Sequence, residues 1–190
     1  MKLVAQIEDP DLPIELKRAG KRLSSGIMSE AISGDFISAA KKLCMELRNI
    51  FEIDHVSFWT ISNGEPSLIS TAGMQLPSNY GADRFKQEPS YQKLLNEKES
   101  YLHNHVFQEE EGIAAEFSRE NDLPAEIGVP MYTLNELNLL KNNMEIPDNV
   151  SPFACLILKR NKLFSSKEFK VISRFLTRTG SIFWRLYNAI

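Results

Sequence analysis

Apolar residues recur along this chain at two periods, and the switches between them mark its elements. Phe36, Ala40, Leu43, Leu47 and Ile50 follow one another at helical spacing, with Lys41, Lys42, Glu46 and Arg48 between them. The spacing predicts an amphipathic helix, begun at Asp35, with one buried face. The run Asp54-His55-Val56-Ser57-Phe58-Trp59-Thr60-Ile61-Ser62 is rich in β-branched and aromatic residues and predicts a strand. Asn63-Gly64-Glu65-Pro66 predicts a turn, and Ser67 to Ala72 its hairpin partner.

Beyond a polar stretch punctuated by Pro and Gly, Ser90 to Asn96 reads as a short helix. Tyr101 to Val106 reads as a short strand. Glu109 to Asn121 reads as a second short helix, with acids in its first turn and Ile113, Ala114 and Phe117 on its apolar face. Ile127 to Thr133 and Pro152 to Leu158 predict two more strands. The connection 134–149 is expected to be mobile or partly helical, because its Asn and Pro residues leave little to pack. Lys159-Arg160-Asn161-Lys162 reads as a charged tight turn.

Ser165 and Glu168 fit a capping box at the start of a final helix. That helix carries a wide apolar stripe. Phe169, Ile172, Leu176, Thr179, Phe183, Leu186 and Ile190 alternate at three and four, as in a coiled-coil seam. The surplus suggests a partner helix, and a homodimer through Ile172, Leu176, Phe183, Leu186 and Ile190 is expected. Residues 1–34 read as an N-terminal helical arm or linker, in which Gly20, Gly26 and Gly34 each weaken a continuous helix by up to ~1 kcal/mol. Residues 35–190 form the folded domain.

This order predicts an α+β fold with a mostly antiparallel central sheet of about five to six strands. N- and C-terminal helices would cover one face, and short helices and loops the other. A ligand pocket is most plausible under the loop-covered face.

Composition narrows the classes. The formal net charge of −3 leaves no electrostatic footprint for nucleic acid. Cys44 and Cys155 both lie in apolar periodic segments and read as buried thiols, not as a disulfide. The opening Met1-Lys2-Leu3-Val4-Ala5-Gln6-Ile7 is broken by Glu8-Asp9-Pro10-Asp11, so no signal-peptide core is expected. No apolar stretch approaches the ~20 residues of a membrane span, and a cytoplasmic location is expected. No phosphate-binding Gly-Lys-Ser/Thr loop or Gly-x-Ser-x-Gly elbow occurs.

Strand ending in Val129-Pro130, strand Phe153 to Leu158, turn, Phe164-Ser165-x-x-Glu168, long helix: this succession resembles the closing half of a GAF domain. Ile53 to Trp59 looks like the family's first strand. Leu95 to Leu102 resembles the segment where a short helix turns into the middle strand. The resemblance spans Asp35 to Ile190. It implies a small-molecule-sensing regulatory domain of a signalling protein, not an enzyme, passing its ligand state through terminal helices at a dimer interface. A ligand-free dimerisation module is the alternative it leaves open. The ligand and any cofactor stay unknown.

Subsets of the family bear on particular residues. The cyclic-nucleotide-binding subset carries an Asn-Lys followed at some distance by Phe, three residues and Asp-Glu. Here Asn161-Lys162 comes too close to Phe164, and Glu168-Phe169 lacks the second acid. Bilin-binding and methionine sulfoxide-reducing members use loop cysteines, whereas Cys44 and Cys155 fall in a helix and a strand. His103 and His105, one residue apart, would share a strand face and offer a two-ligand start for metal or haem, but no third ligand has motif spacing.

Alternation puts Ser57, Trp59 and Ile61 on one face of the first strand, and Val56, Phe58 and Thr60 on the other. A Ser beside a Trp reads as a pocket wall, so Ser57 and Trp59 are taken as ligand-facing. Ser70, His103, His105 and Phe117 are expected to complete a mostly apolar cleft. No metal site and no catalytic residue is expected.

Overall fold

The computed structural model describes residues 13–33, 35–109, 113–133 and 150–188. Helices α1 (Ile14–Ser33) and α2 (Phe36–Phe51) lead into a hairpin, β1 (His55–Ser62) and β2 (Glu65–Gly73). Short elements follow: α3 (Ala82–Lys86), α4 (Pro89–Asn96), β3 (Tyr101–His103), α5 (Val106–Glu109) and α6 (Ile113–Glu120). Strands β4 (Ala125–Met131) and β5 (Ala154–Arg160) and the long helix α7 (Ser166–Tyr187) complete the described chain. The strands form one antiparallel sheet in the order β2-β1-β5-β4-β3. The α+β class and its two unlike faces are therefore as the sequence pattern predicts.

Local chemistry sets the boundaries. Asp35 caps α2, its Oδ1 accepting from the amides of Ile37 at 3.0 Å and Ser38 at 3.3 Å. The β1–β2 hairpin closes through Asn63 and Gly64, at φ 53° and 76°, the left-handed pair that a two-residue turn needs. Ser165 caps α7, and the Glu168 carboxylate returns to the Ser165 amide at 2.8 Å.

One face of the sheet is covered by α2 and α7, and α1 packs against both helices. Val56 and Phe58 of β1, Val129 and Met131 of β4, and Leu156 and Leu158 of β5 pack there against Phe36, Leu43 and Leu47 of α2 and Ile172, Leu176 and Phe183 of α7. Each such side chain contributes about 1.5–3 kcal/mol on burial. Phe58 meets Phe183 at 5.3 Å between ring centroids, and Phe36 meets both. Helix α7 comes close to the end of β4 because residue 180 is glycine: a methyl there would stand 2.8 Å from the Tyr132 carbonyl oxygen.

Several expectations are corrected. The proposed seam is spent inside the chain: Ile172, Leu176 and Phe183 are fully buried in the core just described, and Leu186 nearly so. Their width of apolar surface serves α1, α2 and the sheet together. Ile190 lies outside the described residues. Helix α1 runs unbroken through Gly20 and Gly26, and its Ala19 and Leu23 enter the same core, so packing outweighs the glycine penalty. The short strand ends at His103, and Val106 opens a helix instead. Lys159 and Arg160 are strand residues, not turn residues, and both are buried. The connection 134–149, the arm 1–12 and the side chains of Ile113 and Ala114 lie outside what is described.

Candidate functional site

The opposite face of the sheet lies under the short helices, and its lining is of two kinds. Toward one end Trp59 stacks on Phe85 at 4.2 Å between ring centroids, and Tyr80, Tyr91, Leu94, Tyr101, Cys155 and Ile157 fill in around them. Pro66 and Gly64 bring the hairpin tip beneath α4, where the Tyr91 hydroxyl donates to the Gly64 carbonyl at 2.8 Å.

Toward the other end the register lines up a polar row. His55 of β1 is paired with Lys159 of β5, Lys159 with Glu126 of β4, and Glu126 with His103 of β3. Cross-strand partners share a face, so four ionisable side chains cross the sheet side by side. His55, Lys159 and Glu126 are buried, and His103 is half-buried.

Glu126 is heavily engaged. Its Oε2 lies 2.7 Å from the Lys159 ammonium. Its Oε1 accepts from the Ser90 hydroxyl at 2.7 Å and from the Tyr101 hydroxyl. Lys159 also donates to Ser118 of α6 at 3.1 Å. Burial alone would raise the Glu126 carboxyl, but the Lys159 charge and these hydrogen bonds together hold it below the ordinary glutamate value. Position 128 must be glycine for this arrangement. A methyl there would lie 2.2 Å from the Tyr101 ring, which crosses β4 to reach Glu126.

His55 is different. Its Nδ1 is 2.6 Å from the Met74 carbonyl oxygen, which can only accept, so Nδ1 carries the proton. Its ring stands edge-on to Phe117 at 5.2 Å. Burial, only partly offset by the Met74 bond, lowers its pKa to about 4 and keeps it neutral at neutral pH. Its Nε2, and likewise Nε1 of the buried Trp59, have no hydrogen-bond partner among the described residues.

The expected ligand-facing residues divide accordingly. Ser57, Trp59 and Phe117 come together on the covered face with His103 at its margin. Ser70 does not: it pairs with Phe58 and faces the helical layer, with its backbone oxygen near Cys44. His105 falls outside β3 and is exposed, so the shared strand face expected for His103 and His105 does not form. Among the described residues no cluster of three or more His, Cys, Asp or Glu could hold a metal ion.

Glu126, Lys159, Ser90, Tyr101, Ser118 and His55 carry the polar chemistry but were not among the expected site residues. The available signal was an acid and a base each placed next to an apolar strand run, Glu126 before Ile127 and Lys159 after Leu158. The two cysteines sit on opposite faces of the sheet, Cys44 among the helices and Cys155 among the aromatic rings. Burial raises both thiols, that of Cys44 to about 12. No described helix is long and apolar enough to cross a membrane.

The sequence matches no protein-family model and no curated protein. Solved structures do resemble the fold. A free methionine-R-sulfoxide reductase from Neisseria meningitidis, solved with its substrate, superposes with a TM-score of 0.67 at 13% identity over 92% of each chain. The GAF domain of a phosphoenolpyruvate-protein phosphotransferase from Coxiella burnetii gives 0.67 at 12% identity, covering 93% of this chain and 98% of that one. A phycoerythrobilin-bound GAF domain of a cyanobacterial phytochrome gives 0.60 at 11% identity, covering 94% and 99%. The chain has the GAF-domain fold.

Proposed function

We propose that this chain is a small-molecule-sensing regulatory domain whose ligand is received on the covered face and read out through α7. The observation that carries the reading is the junction of Lys159 and Arg160. These neighbours on β5 project to opposite faces of the sheet. Lys159 stands in the polar row. Arg160 holds the helical side together: its guanidinium donates to both Glu168 oxygens at 2.9 and 3.0 Å and to the Phe51 carbonyl at 3.0 Å. Those contacts tie the first turn of α7 to the last turn of α2. A ligand that moves Lys159 therefore acts one peptide away from the clamp on both helices. Such a ligand shifts the helices by the difference between its affinities for their two arrangements.

Several GAF-fold neighbours are regulatory domains, which supports a sensor; the reductases among them are enzymes. The reductase reading finds no support in the cysteines of this chain, which are buried on opposite faces. A ligand-free dimerisation module remains the second reading. Pairing of two copies through α7 would have to use its half-exposed residues, such as Phe169, Ile182 and Trp184, since the expected seam is internal.

Thermal unfolding of the purified chain against neutral heterocycles, amino acids, cyclic nucleotides, haem and divalent metals tests the proposal. A ligand at ~100 times its dissociation constant adds about 2.7 kcal/mol, several degrees in midpoint. A flat response across every class, with a dimer seen in sedimentation, favours the dimerisation module instead.

A further inference from the structure

The buried polar atoms of the covered face that have no hydrogen-bond partner among the described residues include two of opposite kind, on His55 and Trp59. His55 Nε2 is an acceptor, because Nδ1 already carries the proton donated to Met74. Trp59 Nε1–H can only donate. Both residues are at most 1% exposed. They point to the same side of β1 with Ser57 between them, and four strand residues set their Cα atoms about 13 Å apart. Buried polar atoms are nearly always paired in folded proteins, so each exception calls for a partner.

The charged groups beside them restrict what that partner can be. Lys159 and Glu126 are the charges that act on His55, and they already neutralise each other. An incoming anion could gain Lys159 only by displacing Glu126, which would keep its carboxylate buried on the Ser90 and Tyr101 hydroxyls alone. An incoming cation would have to share Glu126 with Lys159. Either exchange leaves a buried charge uncompensated. The remaining wall is aromatic: Trp59, Phe85, Tyr101 and Phe117. Ser118 and Phe117 hold α6 over this end, and a helix of 8 residues has little internal support against moving aside.

We propose that the covered face binds an uncharged, flat heteroaromatic molecule that donates a hydrogen bond to Nε2 of His55 and accepts one from Nε1 of Trp59. This deepens the sensor reading and rests on it for the choice of face. The ligand carries no phosphate or carboxylate, so nucleotides are disfavoured.

Matched fragments test this on the whole chain. A set of neutral bicyclic heteroaromatic amides, each paired with its carboxylate analogue, starts with indole-3-carboxamide against indole-3-carboxylate. Long-range proton–nitrogen NMR of the histidine rings reads His55 directly. The free protein is expected to show His55 neutral with a bare Nε2, and neutral members to move that nitrogen while their carboxylates bind at least tenfold more weakly. His55→Phe preserves the ring against Phe117 and is expected to weaken the neutral members at least tenfold. A charged His55 or a proton on Nε2 in the free protein overturns the proposal, as does carboxylate binding that equals or exceeds amide binding, failure of every neutral member, or unchanged affinity in a folded His55→Phe. The sensor reading fails separately. Neutral members that bind without altering amide exchange in α7 leave the ligand chemistry standing and remove the readout. An anionic ligand that alters α7 does the reverse.

Discussion

The two faces of the sheet are equally buried and differently built. On the helical face, Val56 and Phe58 meet Phe36, Leu156 and Phe183 in an apolar core, and the buried charge of Arg160 is paired with the partly exposed Glu168. On the covered face, one strand residue away, His55, Lys159 and Glu126 are enclosed as completely. Long helices with continuous apolar stripes close the first face, whereas short pieces of helix close the second. A face assembled only for stability needs no buried ion pair, since well-packed apolar residues usually serve as well or better. Under the proposed sensor reading, the helical face serves stability and the covered face recognition.

Substitutions that break each face in its own way separate the two roles. Lys159→Met leaves Glu126 buried without its counter-charge and is expected to lower stability by about 3–5 kcal/mol, whereas Lys159→Met with Glu126→Leu together recovers most of it. Urea unfolding measures both; equal losses in the single and double variants would mean that the pair itself, not its imbalance, stabilises the fold. On the helical face Phe58→Ala is expected to lose a similar 3–5 kcal/mol by opening a cavity, with no second substitution on the covered face able to restore it. Phe183→Glu belongs to the same class: it should unfold the chain, where an exposed seam would only dissociate a dimer, and circular dichroism distinguishes the two.

Acid sharpens the comparison further. The folded His55 titrates near pH 4 against an ordinary value of 6.5, so the unfolded chain takes up a proton first as pH falls. Stability contributed by keeping His55 neutral is whole above pH 6.5 and declines between 6.5 and about 4, by roughly 3 kcal/mol. His55→Phe should flatten that window while Phe58→Leu keeps it; parallel pH profiles for the two variants would remove His55 as the cause. Smaller still is the cap of α7: Ser165→Ala should lower stability by about 1 kcal/mol. At the bottom of the scale, the ion pair of Lys162 with Glu52, 71% and 76% exposed, should be worth no more than about 0.5 kcal/mol in a double-mutant cycle.

Much of the helical face could be read from the chain. The spacing of Phe36, Ala40, Leu43 and Leu47 and the Ser165-x-x-Glu168 box are local signals, and local signals survive folding. The alternation of β1 likewise brought Ser57 and Trp59 to one face, though only the register with β5 decided which face that was. The polar row was illegible for the opposite reason. Glu126 and Lys159 are 33 residues apart in sequence and meet only because β4 and β5 pair in one register. Taken singly, each looked like the charged end of an apolar run, and Lys159-Arg160 looked like a turn. Ser70 went astray because its face depends on the irregular pairing of β2 beside Phe58 and Trp59. His105 went astray because β3 stops after 3 residues, where Asn104 turns to clamp Phe164.

The central claim is that events at the polar row reach α7 through the Lys159–Arg160 junction. Amide hydrogen exchange over the first two turns of α7, measured with and without whichever compound raises the unfolding midpoint, tests it most directly. The account predicts that the compound changes exchange around Glu168 to Ile172 in the native chain, and that the change disappears in the Lys159→Met, Glu126→Leu double variant. A compound that binds the covered face and leaves α7 exchange unaltered would contradict it.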